Sequence, residues 1–205
     1  MHHWFENIEN NIRNKSDYCT ECINLLNHYK KSNIAVHVLN VSEKAIKLAQ
    51  LYNVSSEKAK IASIFHDISG IIPNEEKLDL CKYLDIDICE EEKIFPNITH
   101  QKLSREIAKS IFNIGDIEIL NAISCHTTLR ANPSKLDMIV FLADKIAWDQ
   151  PGSPEYLEII ESNIRTSLEL TSYKYIEYVL NDKSKLVIVH PWLNEAYNYF
   201  HNMYN

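Results

Sequence analysis

The sequence predicts an all-α protein on three grounds. Glycine occurs only three times in 205 residues, too rarely for the tight turns of a hairpin-rich sheet or for a Gly-rich phosphate loop. Apolar residues recur at steps of three and four over most of the length, the spacing of a buried helix face. Serine and threonine stand where several such stretches begin, at Ser55, Thr99 and Ser134, as side chains that can accept from the free N–H groups of a first helical turn. Hydrophobic residues make up 45% of the chain, enough for a substantial core. There is no low-complexity linker, internal repeat or shift of composition, so residues 1–205 read as one domain.

Residues 4–30 form an amphipathic lead-in with Ile8, Ile12, Tyr18, Ile23 and Leu26 turned inward. A helix over Ile34 to Tyr52 follows, with Val38, Val41, Ala45, Leu48 and Tyr52 on one face and His37 at its edge, one turn before Val41. Ser55 or Ser56 caps the next helix, expected to run to about Ile68 with Ala59, Ala62 and His66 on one side. Ile72-Pro73-Asn74 is a turn, because proline restrains its predecessor and cannot extend a helix ladder. A short helix near Lys77 to Leu84 leads to Glu90-Glu91-Glu92, read as a solvated helix end. Behind a Thr99 cap, His100, Leu103, Ile107 and Ile111 align on one face. His126 ends the next helix, one turn after Ile123, and Ser134 to Asp137 start another in capping-box style, with Leu136, Val140, Ala143 and Ala147 as its buried stripe. Leu157, Ile160, Ile164 and Leu168 mark a packing helix, and Tyr173, Tyr175, Ile176, Tyr178 and Val179 the one after it. Residues 185–189 read as a short extended piece. His190 then pins the tail, and Pro191 starts a last helix.

A formal charge of −7 opposes nonspecific binding to nucleic acid or to an anionic membrane. Residues 1–17 hold no apolar run of signal-peptide length, and no later stretch approaches a membrane span, so a soluble cytoplasmic protein is expected. Five cysteines without a framework spacing favour free thiols. Cys19 and Cys22 read as two thiols on a helix, since a zinc site needs four ligands and no second pair stands at useful spacing.

The chemistry lies in six side chains. His66-Asp67 is flanked by His37 before and by His100, His126 and Asp144 after, each on or beside an apolar helix face. Four imidazoles and two carboxylates suffice to hold two metal ions with positions open for water and substrate. Singly, His37, His100 or His126 is more often a core or surface residue bonded to backbone than a ligand, and Asp144 reads equally as the partner of Lys135, Lys145 or an arginine. Together they outweigh coincidence, because an unpaired carboxylate in the run Ile139 to Ala143 would be costly.

That order of residues resembles the HD-domain metal-dependent phosphohydrolases, and among them the YqeK-type symmetrical diadenosine tetraphosphate hydrolases or a divergent paralogous branch of them. The likeness spans roughly residues 34–180 and is most specific in His126-Thr127-Thr128-Leu129-Arg130 and Leu142-Ala143-Asp144-Lys145-Ile146. It implies an HD-domain helical bundle whose metal-binding core covers about 34–150, with helical packing on either side. It further implies two iron or manganese ions, one on His37, His66, Asp67 and Asp144, with Asp67 bridging to a second on His100 and His126. Arg130 matches a family arginine that faces the substrate phosphates. The chain departs from the family pattern at Gly70, where a lysine or arginine is usual, at Gln101-Lys102 in place of Gly-Pro, and at residues 148–152.

Two cations roughly 3.5 to 4 Å apart would generate hydroxide near neutral pH and polarise a phosphoryl oxygen. Asp67 suits the bridge, since a carboxylate can give one oxygen to each ion and orient the nucleophile. Arg130 can clamp a phosphate bidentately, Lys102 and Lys145 can neutralise charge, and Arg105 reads as surface. Trp148, Tyr156 and Trp192 can wall a nucleobase or simply pack. The expected activity is hydrolysis of a dinucleoside polyphosphate, diadenosine tetraphosphate to two ADP. The partner is a nucleotide, with no nucleic-acid polymer and no membrane, and a homodimer is left open. A nucleotidase or phosphatase acting on another nucleotide, a mixed-valent diiron oxygenase and a non-catalytic nucleotide-binding regulator are the alternatives.

Overall fold

The computed structural model describes residues 2–14, 17–149, 151–182 and 186–204, and all regular structure among them is helical. In order the helices are α1 (His3–Asn11), α2 (Tyr18–His28), α3 (Ser32–Leu51), α4 (Ser56–Phe65), α5 (Asn74–Tyr83), α6 (Glu90–Ile94) and α7 (His100–Ser110). They continue with α8 (Ile117–Ser124), α9 (Lys135–Ile146), α10 (Tyr156–Asn163), α11 (Leu168–Asn181) and α12 (Pro191–Tyr204). Short 3₁₀ turns occupy Ile68–Ile71 and Pro96–Thr99.

The centre of the bundle is α9, which is buried from Leu136 to Ala143. A helix apolar on all sides has to be enclosed, and α3, α4, α8, α10 and α11 pack around it. On α3 the inward positions include Ala35, Ala45 and Ala49, while α4 offers Ala59 and Ala62. Such small side chains let helix axes approach closely, and α3 lies against both α4 and α9. Burial of each large aliphatic chain in this layer contributes roughly 1.5–3 kcal/mol. The buried cluster runs from Phe5 near one end of the chain to Phe200 near the other. No helix of the described residues is long and apolar enough to cross a membrane.

Several boundaries differ from the sequence expectation, each for a local reason. The lead-in is two helices, and the second is capped by Asp17, whose side chain accepts from Thr20 N. Ser55 caps α4 as expected, but the helix stops at Phe65 because Asp67 leaves helical geometry at φ −113°, ψ 14°. Thr99 is not a cap: its backbone is already helical and its hydroxyl donates to Pro96 O. Helix α8 ends at Ser124, two residues before His126. Leu168 belongs to α11 rather than α10, since Ser167 accepts from Leu170 N and starts a new helix there. Residues 186–189 form no strand, and Lys185 lies outside the described residues. Ser134 forms the expected capping box with Asp137.

Candidate metal centre

Helix ends and turns bring all six sequence-selected residues to one place. His37 comes from α3, His66 and Asp67 from the exit of α4, His100 from the first residue of α7, His126 from the turn after α8, and Asp144 from α9. The imidazole rings form a chain, with centroids 5.3 Å apart for His37–His66, 4.6 Å for His66–His126 and 4.9 Å for His100–His126.

Three of the rings are oriented in the same way. The Nδ1 atoms of His66, His100 and His126 lie 2.6, 2.8 and 2.9 Å from the carbonyl oxygens of Ser63, Asn97 and Ile123, each three residues earlier. A carbonyl can only accept, so each Nδ1 carries a proton, and the neutral form of each ring presents its lone pair at Nε2. Those Nε2 atoms converge on Asp67. His66 stands 3.6 Å from Oδ2, whereas His100 and His126 stand 3.3 and 3.4 Å from Oδ1. Each oxygen of Asp67 therefore faces a different set of histidines.

Two features of this arrangement call for a positive species between the ligands. The Nε2 atoms of His100 and His126 are 3.0 Å apart, a distance at which two lone pairs repel. His66 is fully buried, yet its Nε2 has no hydrogen-bond partner, a costly state unless something absent from the chain fills it. An imidazole-carboxylate donor set with carbonyl-fixed Nδ1 atoms is what a transition-metal site requires. His37, His66 and Asp67 place ligand atoms within 4.8 Å of one another, and so do Asp67, His100 and His126. Asp67 belongs to both groups, and the residues present fit a metal ion.

Asp144 completes the first group. Its Oδ1 lies 3.0 Å from His37 Nε2 and 3.6 Å from His66 Nε2, while Lys145 Nζ donates to Oδ2 at 2.6 Å. The ion-pair reading of Asp144 is met through Oδ2, and Oδ1 is turned toward the histidines. Lys145 also donates to the His126 carbonyl at 3.3 Å, which ties the two sides of the centre together.

Electrostatics follows from burial and close charges. Burial opposes ionisation of Asp67, but His66, His126 and His100 outweigh it and hold its carboxyl far below the usual range. Burial likewise opposes ionisation of Asp144, which Lys145, His37 and His66 override. His66 is pulled against burial by Asp67 and Asp144, up to about 9. Burial pushes His100 down to about 4 and lowers His126 too, leaving those imidazoles neutral.

The remaining sequence candidates stand elsewhere. Arg130 directs Nε and Nη2 at Oδ2 of buried Asp137, at 3.0 and 2.7 Å, and so supports the cap of α9. Lys102 donates to Asp87 O at 2.7 Å and to Glu92 Oε2 at 2.8 Å, away from the centre. Glu92 is not a solvated helix end: it is fully buried and also takes the Cys89 N–H and His190 Nε2. His190 does pin the tail, with Trp192 N donating to its Nδ1. Cys89, Glu92 and His190 make a second group of metal-type side chains. Trp148 packs edge-on against Tyr156, whereas Trp192 contacts His190 and Lys102, so the three aromatics form no common wall. Cys19 and Cys22 are free thiols on α2, and Cys22 donates to Ile64 O.

Sequence reasoning found Lys145 but missed the cations of the cleft beside the centre. A cleft of about 340 Å³ opens beside Asp67 and His100 and is lined by Lys31, Lys77, Asn74 and Asn97. Lys77 is 3% exposed. Burial pushes its ammonium down to about 8, with Asp67 opposing and Lys31 adding to the shift. At Gly70, where the resemblance leads one to expect a cation, a Cβ would meet the end of the Ile34 side chain, so a larger residue there requires Ile34 to turn aside. The overlooked signal was a lysine on an apolar helix face, one turn from Leu80 and Cys81.

Known proteins supply an independent measure of this architecture. Residues 34–149 match the HD domain. An uncharacterized protein from the pepC 5′ region of Lactococcus lactis subsp. cremoris is 42% identical over 133 residues, 65% of this chain and 67% of its own. The symmetrical bis(5′-nucleosyl)-tetraphosphatase of Bacillus subtilis (strain 168) is 27% identical over 168 residues, 80% of this chain and 87% of its own. A crystal structure of a predicted HD superfamily hydrolase involved in NAD metabolism, from Clostridium acetobutylicum, superposes with a TM-score of 0.82 at 26% identity, over 90% of this chain and 97% of that one.

Proposed function

We propose, since this chain belongs to the HD-domain family and is a hydrolase of it, that it cleaves a phosphoanhydride of a nucleotide, in first place diadenosine tetraphosphate into two ADP. The observation that carries this reading is the convergence of buried imidazole lone pairs on the two oxygens of Asp67. In this assignment His37, His66, Asp67 and Asp144 hold one cation, and Asp67, His100 and His126 hold the other, with iron or manganese suited to the donors. When bound, such a pair would acidify a water and polarise a phosphoryl oxygen.

The chain's own groups do the rest. Carbonyl-held Nδ1–H groups fix the tautomer of three imidazoles and aim their Nε2 atoms at the centre, and neutral donors there would leave a bound cation its positive charge for an anionic substrate. Lys145 fixes Asp144 through Oδ2 and leaves Oδ1 for the site. Thr127 Oγ1, 3.1 Å from His100 Nε2, is a further polar group at the mouth. Attack by water at an inner phosphorus breaks the central P–O–P bridge and gives two ADP. The B. subtilis relative's name supports this choice of substrate. Arg130 and Lys102, engaged by Asp137 and Glu92, yield the phosphate-neutralising role to Lys145 and the cleft lysines.

A panel of diadenosine tetraphosphate, nucleoside mono-, di- and triphosphates and simple phosphoesters, assayed with iron, manganese and cobalt, tests the proposal. Two ADP formed with kcat/KM well above every other compound is the expected result. Preference for mononucleotides would replace it with a nucleotidase on the same centre, and binding without turnover with a regulator.

A further inference from the structure

The cleft beside the His/Asp centre contains charge that the fold itself does not use. Lys77 is buried on α5, and its ammonium is held by Asn74 Oδ1 at 2.6 Å and Asn97 Oδ1 at 3.0 Å. Both partners are neutral amides. Lys31, at the junction of α2 and α3, lines the same cleft, and among the described residues no carboxylate forms an ion pair with either lysine. Asp67 also lines the cleft, but its oxygens face the histidines.

Lys77 is the one buried lysine among the described residues, and the buried carboxylates Glu92 and Asp137 are paired with Lys102 and Arg130, while Glu21 takes only a backbone N–H and an amide. A buried ammonium satisfied only by amides keeps an uncompensated positive charge, and a cleft wall focuses its field into the opening. Two such cations next to a site that handles one phosphoryl group form a receptor for another anionic group of the same molecule.

We infer that Lys77 and Lys31 bind a phosphate of the substrate other than the one undergoing attack, so that the cleft selects molecules with a chain of two or more phosphates over single phosphoesters. The inference rests on the phosphohydrolase reading for the identity of the neighbouring site. It differs from that reading in assigning recognition to residues that touch no metal. Asn74 and Asn97 are positioning residues here, since they fix the ammonium.

The test uses the full chain with its metals and two variants, Lys77→Met, which keeps the aliphatic length, and Lys31→Met at a half-buried position. Inorganic tripolyphosphate serves as the binding probe, measured by calorimetry, beside steady-state kinetics on diadenosine tetraphosphate and on a one-phosphate ester. Loss of one charge-assisted contact predicts about tenfold weaker tripolyphosphate binding in Lys77→Met, with a smaller loss in Lys31→Met. KM for diadenosine tetraphosphate should rise by about the same factor, well beyond any change for the one-phosphate ester. Wild-type tripolyphosphate affinity in a folded Lys77→Met protein of normal metal content overturns the subsite, as does an equal penalty on both substrates. Should Lys77→Met fail to fold, unchanged tripolyphosphate affinity in Lys31→Met overturns it instead. Lysine-dependent tripolyphosphate binding in a protein that hydrolyses no phosphate compound would retain the subsite and reject the hydrolytic reading. Turnover that ignores both lysines would do the reverse.

Discussion

The His/Asp centre and the Cys89, Glu92, His190 group contain the same kinds of side chain, buried in the same bundle, and both place ligand atoms within 4.8 Å of one another. They differ in how those atoms are used. In the second group Trp192 N–H occupies His190 Nδ1, so the ring's proton sits on Nε2 and is given to Glu92, while Lys102 and the Cys89 N–H take the other carboxylate oxygen. Every strong donor there has an acceptor. In the first group the protons are fixed on Nδ1 by carbonyls, and the lone pairs at Nε2 are left facing one another and Asp67. Residue type is therefore a poor guide to a metal site. What separates the two is whether the chain satisfies its own polar atoms.

The contrast breaks most visibly at Asp67. Asp67→Ala removes the carboxylate that, among the described residues, faces both sets of histidines, and it should cost at least one of two expected metal ions per chain and about a thousandfold in kcat/KM. Elemental analysis beside kinetics checks it. Full metal occupancy in the variant would show that the two sets of histidines hold their ions without a shared ligand.

At Glu92 the expected loss is in stability. Glu92→Gln leaves Lys102 and His190 without their charged partner and should cost about 3 kcal/mol in denaturant unfolding, with metal content unchanged. The pH dependence has a definite sign. Burial opposes ionisation of Glu92, but His190 and Lys102 override it and hold its pKa at about 2 against an ordinary value of 4.5. A depressed carboxyl contributes stability that is complete above about 4.5 and lost as pH falls through about 2. The wild type should thus lose up to about 3 kcal/mol over that window, and the variant should lose less. Two parallel acid-unfolding curves would deny Glu92 this role.

How much of this was readable in the sequence depends on where the partners lie. The six residues that meet at the centre were legible because a charge or imidazole beside an apolar helix stripe stands out in a window of a few residues, as Asp144 does after Ile139 to Ala143. Glu92 was not, since its partners Lys102 and His190 are 10 and 98 residues away and only the packed chain brings them together. Arg130 illustrates the opposite failure. Its place in a family-like stretch suggested a phosphate, whereas the local capping box at Ser134 delivers Asp137 to it first. Thr99 failed as a cap because Pro96 begins a 3₁₀ turn just before it, and the hydroxyl closes that turn. Lys77 meets the criterion that singles out Asp144, but the apolar face beside it is short, with Leu80 and Cys81 its buried neighbours on α5.

Lys77 also gives the smallest and sharpest form of the comparison, because its stability effect should have the opposite sign to that of Glu92. With its pKa lowered from 10.5 to about 8, chiefly by burial, the protonated lysine costs stability in full below about 8. That cost is relieved as pH rises toward 10.5. The full shift corresponds to up to about 3 kcal/mol. Loss of the bonds to Asn74 and Asn97 in Lys77→Met and the exposure of a methyl to the cleft reduce the gain. Lys77→Met should therefore be more stable than wild type by about 1 kcal/mol at neutral pH, with the difference shrinking above pH about 8. Thermal or urea unfolding at two pH values reads it. A stabilised variant that binds polyphosphate poorly would mark a charge kept for its ligand at the expense of the fold. A variant destabilised as far as Glu92→Gln would place Lys77 among the self-satisfied groups and leave the cleft without a reason to bind anions.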